Sequence, residues 1–442
     1  MSKVSGIRKR VHQTPITLIF FRITSLIVPF LCLPIILQNV GTTTLGQFYL
    51  IFSLISILGF MDFGIPNSLP KLFADVSGNS NAKFEEAKIV LTSLYRLSII
   101  GVFTTAAIYM STLIFPFISL FGLRSKDAEI FFISLVVSTF SIFIKFIGNL
   151  GLKILSIRND YASSQKYDNI CMSAGYITAT IFSYFRNDLL TLILTLISVP
   201  AILLVFSTQR TIRLVVKAGR INFFKRSHYS IKFAKLNFLF IYLQITTIVM
   251  LQVDSLVVGT LLSTDQVSIL NLGWKFFSIP YLITVTVYSY IWVDASKIKK
   301  LDEGVIFYEQ ILAKAKKLFF TSLLIAVAIF FGGRQLLSIW SDGIYPSRLF
   351  CFAAGILLCL SCGAYPITMF LNGVNFSVYL IKMATVNMIL NIIASIFLTN
   401  LLKDPAGVLL GSALAQIFGF YVPFYFVFIK NEGYKMQLKG AL

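Results

Sequence analysis

The chain has 442 residues, 57% of them hydrophobic and only 13% charged, with 38 lysines and arginines against 18 acidic residues and a net charge of +20. That much apolar surface exceeds what a water-soluble core of this length can hide, so lipid must form part of the solvent and a soluble enzyme is excluded. A charge of this size would point to nucleic acid in a soluble protein; here its placement between apolar stretches accounts for it, and no nucleic-acid partner is expected.

A helix rises about 1.5 Å per residue, so crossing a bilayer core takes roughly 20 apolar residues, with every backbone amide satisfied inside the helix. Twelve segments have that character, near residues 16–38, 45–66, 92–116, 129–150, 169–185, 189–208, 236–258, 266–292, 317–332, 348–371, 376–399 and 406–429. The expected fold class is an all-α integral membrane protein of twelve transmembrane helices. The longest break in hydrophobicity, Gln209 to Lys235, divides the spans six and six, which predicts an N-terminal half over 1–208, a basic cytoplasmic linker over 209–235 and a C-terminal half over 236–442. An even number of spans per half gives both halves one orientation, as in a parallel repeat.

Of the basic residues, 27 fall in alternate gaps that include both termini, six in the opposite gaps and five inside spans. The positive-inside rule therefore places both termini in the cytoplasm. The basic start, Lys3 to Arg10, runs into an apolar span longer than a signal-peptide core and without a small-residue cleavage site, so the first span is expected to stay.

The first span carries Arg22 together with Pro29 and Pro34, and this proline pair is the expected hinge, since each proline removes a helical hydrogen bond. Asp62 ends the second span, Arg96 lies in the third and Lys145 in the fourth; with Lys382 of the eleventh they form one tier within about two turns of the cytoplasmic ends. Snorkelling of the long basic stems to the interface and a functional polar lining are both open for these residues. Asp62 is too short to snorkel and is expected to pair with Arg22 or Arg96.

In the linker, Arg210, Arg213, Lys217 and Arg220 recur at helical spacing around Ile212, Val215 and Val216, a basic amphipathic stretch for the anionic inner leaflet. It either anchors orientation or docks a phosphate headgroup. Further prolines interrupt the later spans at Pro200, Pro280, Pro366 and Pro423.

Asp254 lies near the outer end of the seventh span, where it can balance Lys275, coordinate a cation or approach the headgroups. Lys275 is about nine residues from the outer end of the eighth span, too deep to snorkel easily, so a water-filled interior is expected around it. Trp274, Phe277, Tyr281, Tyr288 and Trp292 fall within about a 60° stripe of the same span, flanked by Lys275, an arrangement that suits either sugar contact or plain packing. Five basic residues against two acidic ones inside the spans favour an anionic passenger, and arginine's forked donors suit phosphate.

The five cysteines, Cys32, Cys171, Cys351, Cys359 and Cys362, all lie in apolar spans without metal-type spacing to histidine, and are expected to be free packing thiols. No metal site and no cofactor is expected beyond a coupling ion, H+ or Na+.

The segment Gly41 to Ala74, with Gly46, Gln47, Phe48 and Tyr49 and then Asp62, Phe63 and Gly64, resembles the first loop, second helix and following loop of polysaccharide flippases. The stretch Gln252 to Phe277 and the final helix pair, with Asn387, Asn391, Gly407, Gly411 and Ala413, are similar to the same group. With twelve spans, the likeness extends over the whole chain, within the multidrug/oligosaccharidyl-lipid/polysaccharide exporter superfamily.

The resemblance implies two six-helix lobes around a central cavity, alternating access, and a bacterial cytoplasmic (inner) membrane location. Its O-antigen (Wzx-like) branch moves an undecaprenyl-pyrophosphate-linked oligosaccharide outward, with polysaccharide assembly proteins as further partners. On that reading Arg22, Arg96, Lys145, Lys275, Lys382, Trp274 and Tyr281 contact substrate, and Asp62 or Asp254 couples the ion. Lipid II flippases of the superfamily use cationic residues in their first and eighth helices, which Arg22 and Lys275 match by helix. A cation-coupled multidrug exporter shares the architecture but calls for acidic groups; a glycan polymerase or ligase calls for a large outer loop, which the sequence lacks.

Overall fold

In the computed structural model of the protein the described residues are 2–58, 65–76, 80–114, 125–158, 161–218, 252–295, 301–374 and 377–430, with 242, 246, 249 and 250. Among them there is helix and no strand. The chain divides into two compact units, Met1–Tyr242 and Leu243–Leu442.

The first unit begins with α1, Ser2–Leu58, which merges the first two predicted spans. The merger is interrupted at Gly41, whose φ of 80° and ψ of 167° are non-helical. This left-handed backbone favours glycine because a β-carbon would crowd the neighbouring carbonyl. Pro29 and Pro34, the expected hinge pair, lie within helical backbone, so the turn in this region is made at Gly41.

Then follow α2 (Ile65–Val76), α3 (Ala82–Ile114), α4 (Ser125–Ile157) and α5 (Tyr161–Ser183). The last helix of the unit, α6, spans Leu189–Ala218 and opens on Asp188, whose carboxylate accepts from the Thr191 N–H at 2.7 Å. This cap satisfies one of the orphan donors of the first turn. Before Pro200, α6 widens into a π turn over Leu194–Ser198, where the proline's missing N–H leaves the ladder incomplete.

On α2, Ile65, Leu69, Leu72, Phe73 and Val76 recur at helical spacing and are buried with Leu97 of α3 and Phe143, Leu150 and Ile154 of α4. Glycines let α4 approach its neighbours: a β-carbon on Gly148 would stand 2.7 Å from Leu204 of α6, and one on Gly151 would stand 2.4 Å from Thr208. Side-chain hydroxyls bond back to carbonyls one turn earlier, as Thr92 does to Lys88 and Thr208 to Leu204, which satisfies them without water.

The second unit contains a helix over 252–261 (α7), then α8 (Thr264–Phe277), α9 (Ile279–Tyr288) and α10 (Tyr290–Ala295). The predicted eighth span is thus three helices. The break after α8 falls at Ser278, with φ −83° and ψ 1°, just ahead of Pro280 in the first turn of α9. Four helices complete the unit: α11 (Leu301–Ser341), α12 (Arg348–Gly373), α13 (Ser377–Leu402) and α14 (Ala406–Gln416), the last carried on through wide turns to Lys430. Pro366 lies inside α12 and Pro423 between the two wide turns. A buried cluster including Tyr308 and Ile311 of α11, Ile367 and Phe370 of α12, Met383 of α13 and Phe424 binds these helices together.

Among the described residues eight helical segments are long and apolar enough to cross a membrane, and they cover nine of the twelve predicted spans because α1 holds two. Of the rest, the fifth is α5, the seventh lies largely outside the described residues and the eighth is the α8 to α10 series. Large apolar side chains stand exposed along these helices, Phe103 at 72%, Leu324 at 74% and Ile339 at 80% among them. Surfaces of this kind belong against lipid chains. The five cysteines are free thiols, four of them buried.

Candidate functional site

The polar centre of the second unit is built on the antiparallel pair α13 and α14. Four polar residues of α13 recur one turn apart, Asn387, Asn391, Ser395 and Thr399, and α14 presents Gly407, Gly411, Ala415 and Gly419 at the same spacing. A β-carbon on Gly407 would stand 2.5 Å from Thr399 backbone, one on Gly411 2.5 Å from Ser395 backbone, and one on Gly419 2.5 Å from Asn387 backbone. Small residues at every turn therefore bring the two backbones together, as they do in membrane helix pairs generally.

Against this seam α7 places Asp254. Ser412 of α14 donates to its Oδ2 at 2.9 Å, and Ser395 of α13 donates to its Oδ1 at 3.2 Å, with the Val408 carbonyl 3.4 Å from the same serine hydroxyl. The Asn391 amide nitrogen in turn donates to Ser412 Oγ at 2.7 Å, which fixes the serine hydroxyl toward the carboxylate. The Asn391 carbonyl oxygen and the Thr399 hydroxyl are buried and have no hydrogen-bond partner among the described residues, and the same holds for the Asn387 carbonyl oxygen.

A half-buried carboxylate met only by neutral donors among the described residues, beside buried orphaned oxygens, is a costly arrangement for packing alone. The donor set is all oxygen: one carboxylate, two hydroxyls, a side-chain amide and the Val408 carbonyl. Hard cations take such ligands, and a single carboxylate matches a single positive charge. Of the three roles open to Asp254 in the sequence, cation coordination is one that this all-oxygen set can serve chemically, the side chain being turned into the α13 and α14 pair. Among the described residues no three of histidine, cysteine, aspartate and glutamate come together, so this cluster is not of the transition-metal type.

The other predicted site residues are dispersed. Arg22 lies in α1 with its side chain outside the described residues, and Asp62 is outside them altogether, so their expected pairing falls there too. Arg96 is half-buried on α3. Lys145, half-buried on α4, points its Nζ at Met172 Sδ of α5, 3.9 Å away. Lys382 is exposed on α13, so it is not part of a polar interior of its own unit.

Lys275 is half-buried in the last turn of α8, and its carbonyl accepts from Ser278 Oγ at 3.5 Å. The aromatic stripe around it is interrupted at Ser278. Trp274 is half-buried on α8, Phe277 is packed against Phe350, Tyr281 meets Tyr365 edge-on at 6.1 Å, Tyr288 stacks with Tyr290, and Trp292 is 55% exposed. The helical arithmetic assumed one continuous helix, whereas Ser278, with φ −83° and ψ 1°, interrupts it between Phe277 and Tyr281.

Ser395, Thr399 and Ser412 were not singled out in the sequence. Their signal was the one-turn spacing of polar residues through an apolar helix, matched by glycines at the same spacing on the next.

No protein-family model matches the sequence, and no curated protein matches it in sequence. Solved structures match it in fold. The lipid II flippase MurJ, in an inward closed conformation, aligns with a TM-score of 0.70 at 18% identity, over 96% of this chain and 89% of that one. An inward-facing multidrug resistance MATE family transporter of the MOP superfamily aligns with a TM-score of 0.66 at 14% identity, over 97% and 98%. The Vibrio cholerae MATE transporter VcmN in the bent form gives 0.60 at 12% identity, over 100% and 99%. At these identities the likeness is one of fold. The chain has the multi-span helical fold that a lipid flippase and multidrug transporters share, and it is a multi-pass membrane protein.

Proposed function

We propose that this protein is a sodium-coupled flippase that carries an undecaprenyl-pyrophosphate-linked oligosaccharide from the inner to the outer leaflet of the bacterial cytoplasmic membrane by alternating access. The observation that carries ion coupling is the part-buried cluster of Asp254 with Ser395, Ser412 and Asn391, and the one that carries the anionic cargo is the excess of basic residues inside the spans. Of the five basic residues inside spans, Arg22, Arg96, Lys145 and Lys275 support an anionic cargo, while Lys382 stands exposed on α13. Lys275 is assigned the central part in holding the pyrophosphate, with Trp274 and Tyr281 near the sugars. Both termini face the cytoplasm on the distribution of basic residues, and polysaccharide assembly proteins are the partners that would supply and consume the cargo.

A cation-coupled multidrug exporter is the second reading, favoured by the MATE-type neighbours and equally served by the Asp254 cluster. The excess of basic over acidic residues in the spans weighs against a cationic drug.

Deleting the gene and locating the lipid-linked oligosaccharide tests the choice. A flippase predicts accumulation on the inner leaflet, relieved by the wild-type chain and not by Lys275→Ala. Normal export in the deletion strain, with drug sensitivity instead, would establish the second reading.

A further inference from the structure

The polar ladder of α13 runs one step past the Asp254 cluster. Thr399 lies one turn, about 6 Å, beyond Ser395 toward the loop that joins α13 to α14. It is fully buried, and its hydroxyl has no hydrogen-bond partner among the described residues. A threonine in a membrane helix ordinarily satisfies its hydroxyl on the carbonyl one turn back, as Thr385 of the same helix and Thr208 and Thr368 do. Thr399 forgoes that bond and turns toward α14, where a β-carbon on Gly407 would stand 2.7 Å from its Oγ1. A dry hydroxyl left open in this way is costly unless a polar group visits it.

The groups around it suit a cation. Asp404, half-exposed in the loop, caps the first turn of α14: its Oδ1 accepts from the Ala406 N–H at 2.7 Å and its carbonyl from the Gly407 N–H at 3.0 Å. Gly407 lies against Thr399, Gly411 lies against Ser395, and Ser395 donates to Asp254 Oδ1 at 3.2 Å. The side chains on this line from the surface to Asp254 are those of Asp404, Thr399 and Ser395, and all offer oxygen, the ligand that replaces the water shell of a hard cation. The neighbouring Lys403 is exposed, with its Nζ drawn to Asn400 Oδ1 at 2.6 Å.

A coupled ion must meet each side of the membrane in turn, so its site needs two ways in. Asp254 is half-buried, and its open face is one of them. The line through Thr399 is the other, and it leads to the loop that the distribution of basic residues places opposite the termini. In this structure Gly407 is packed on the Thr399 backbone, so the second way is shut.

We propose that Thr399 is the outer gate of the Asp254 ion site: as α13 and α14 part, a sodium ion captured at Asp404 gives up water to the Thr399 hydroxyl and passes from there to Ser395 and Asp254. The proposal rests on the ion-coupling reading of Asp254 and adds to it the outer route and the residue that controls it.

The test uses right-side-out and inside-out membrane vesicles holding the full-length protein, and reads by rapid filtration the initial rate at which radioactive sodium binds from each face. Sodium stabilisation against heat in nanodiscs reads the equilibrium. Thr399→Val, of the same shape without the hydroxyl, should slow binding from the outer face about tenfold, the worth of one oxygen ligand in a barrier, with cytoplasmic-face binding and the half-saturating sodium concentration within about twofold of the wild type. Thr399→Ser, which keeps the hydroxyl, should retain the outer rate. Asp404→Asn, which keeps the helix cap and loses the charge, should slow outer binding about threefold at low salt and less at high salt. An outer rate unchanged in Thr399→Val, with sodium stabilisation intact, would overturn the gate alone and leave the open face of Asp254 as the way in from both sides. Equal slowing from both faces, or slowing shared by Thr399→Ser, would make Thr399 a packing residue and overturn the gate as well. A wild-type chain that sodium does not stabilise would remove the ion-coupling reading beneath it.

Discussion

Gly411 and Ser395 meet backbone to backbone: a β-carbon on the glycine would stand 2.5 Å from the serine nitrogen. The same serine reaches Asp254, so the closeness of two helices and the geometry of the polar cluster are one feature. Gly411→Ala should push α14 off α13 and destabilise the protein by about 1–3 kcal/mol, the usual cost of overpacking. Gly332→Ala, where the nearest atom is 4.0 Å away, is the control and should leave the unfolding temperature in lipid nanodiscs unchanged or slightly raised.

Ser412 donates to Asp254 and is itself oriented by Asn391. Ser412→Ala removes a hydrogen bond to a charged group, worth about 1.5–3 kcal/mol, so half-maximal sodium stabilisation should move to at least about tenfold higher concentration. Asn391→Leu should do the same, because it both removes a ligand oxygen and frees the serine. Thermal unfolding against sodium concentration, with potassium as the control ion, reads both.

Gly41 has nothing within 4 Å of the place a β-carbon would take, yet its φ is +80°. Gly41→Ala should therefore cost only the backbone term, about 1–3 kcal/mol, with no steric clash to relieve. Gly41→Asn should lose as much, because a ψ of 167° lies outside the left-handed helical region that asparagine tolerates. An unchanged unfolding temperature in either variant would show that the backbone conformation is not what selects glycine here.

Lys275 and Lys382 divide the basic residues into two kinds. Lys275→Ala should reduce export of the lipid-linked oligosaccharide at least about tenfold with Lys275→Arg retaining most of it, while Lys382→Gln, at an exposed position, should leave export near the wild-type level. Radiolabelled sugar appearing outside spheroplasts is the measurement.

Hydropathy made the helices legible because a bilayer leaves the backbone no other solution, and the boundaries of α12 and α13 fall within a few residues of the predicted spans. The breaks were less legible. Prolines in the first span drew attention, yet a proline in an otherwise good helix is tolerated, whereas the positive φ at Gly41 is visible only in three dimensions. The break at Ser278 falls just before Pro280, one of the interruptions legible in the sequence, while the aromatic stripe presumes an unbroken helix; Pro280 sits at the start of a new helix, where proline fits. Asp254 was legible as a charge out of place; its partners were not, because serines and asparagines in a membrane helix usually bond to their own backbone, as Ser93 and Thr139 do here. What set Ser395 and Asn391 apart was the glycine ladder opposite, a relationship between two helices.

The central claim joins an ion at Asp254 to movement of an anionic lipid-linked head. Its most direct measurement is the rate at which a fluorescent undecaprenyl-pyrophosphate oligosaccharide crosses proteoliposomes holding the wild-type chain or Asp254→Asn, with and without a sodium gradient. The account predicts fast, gradient-dependent translocation by the wild type and a rate for Asp254→Asn that no gradient raises. Translocation by the variant that responds to sodium as the wild type does would contradict it.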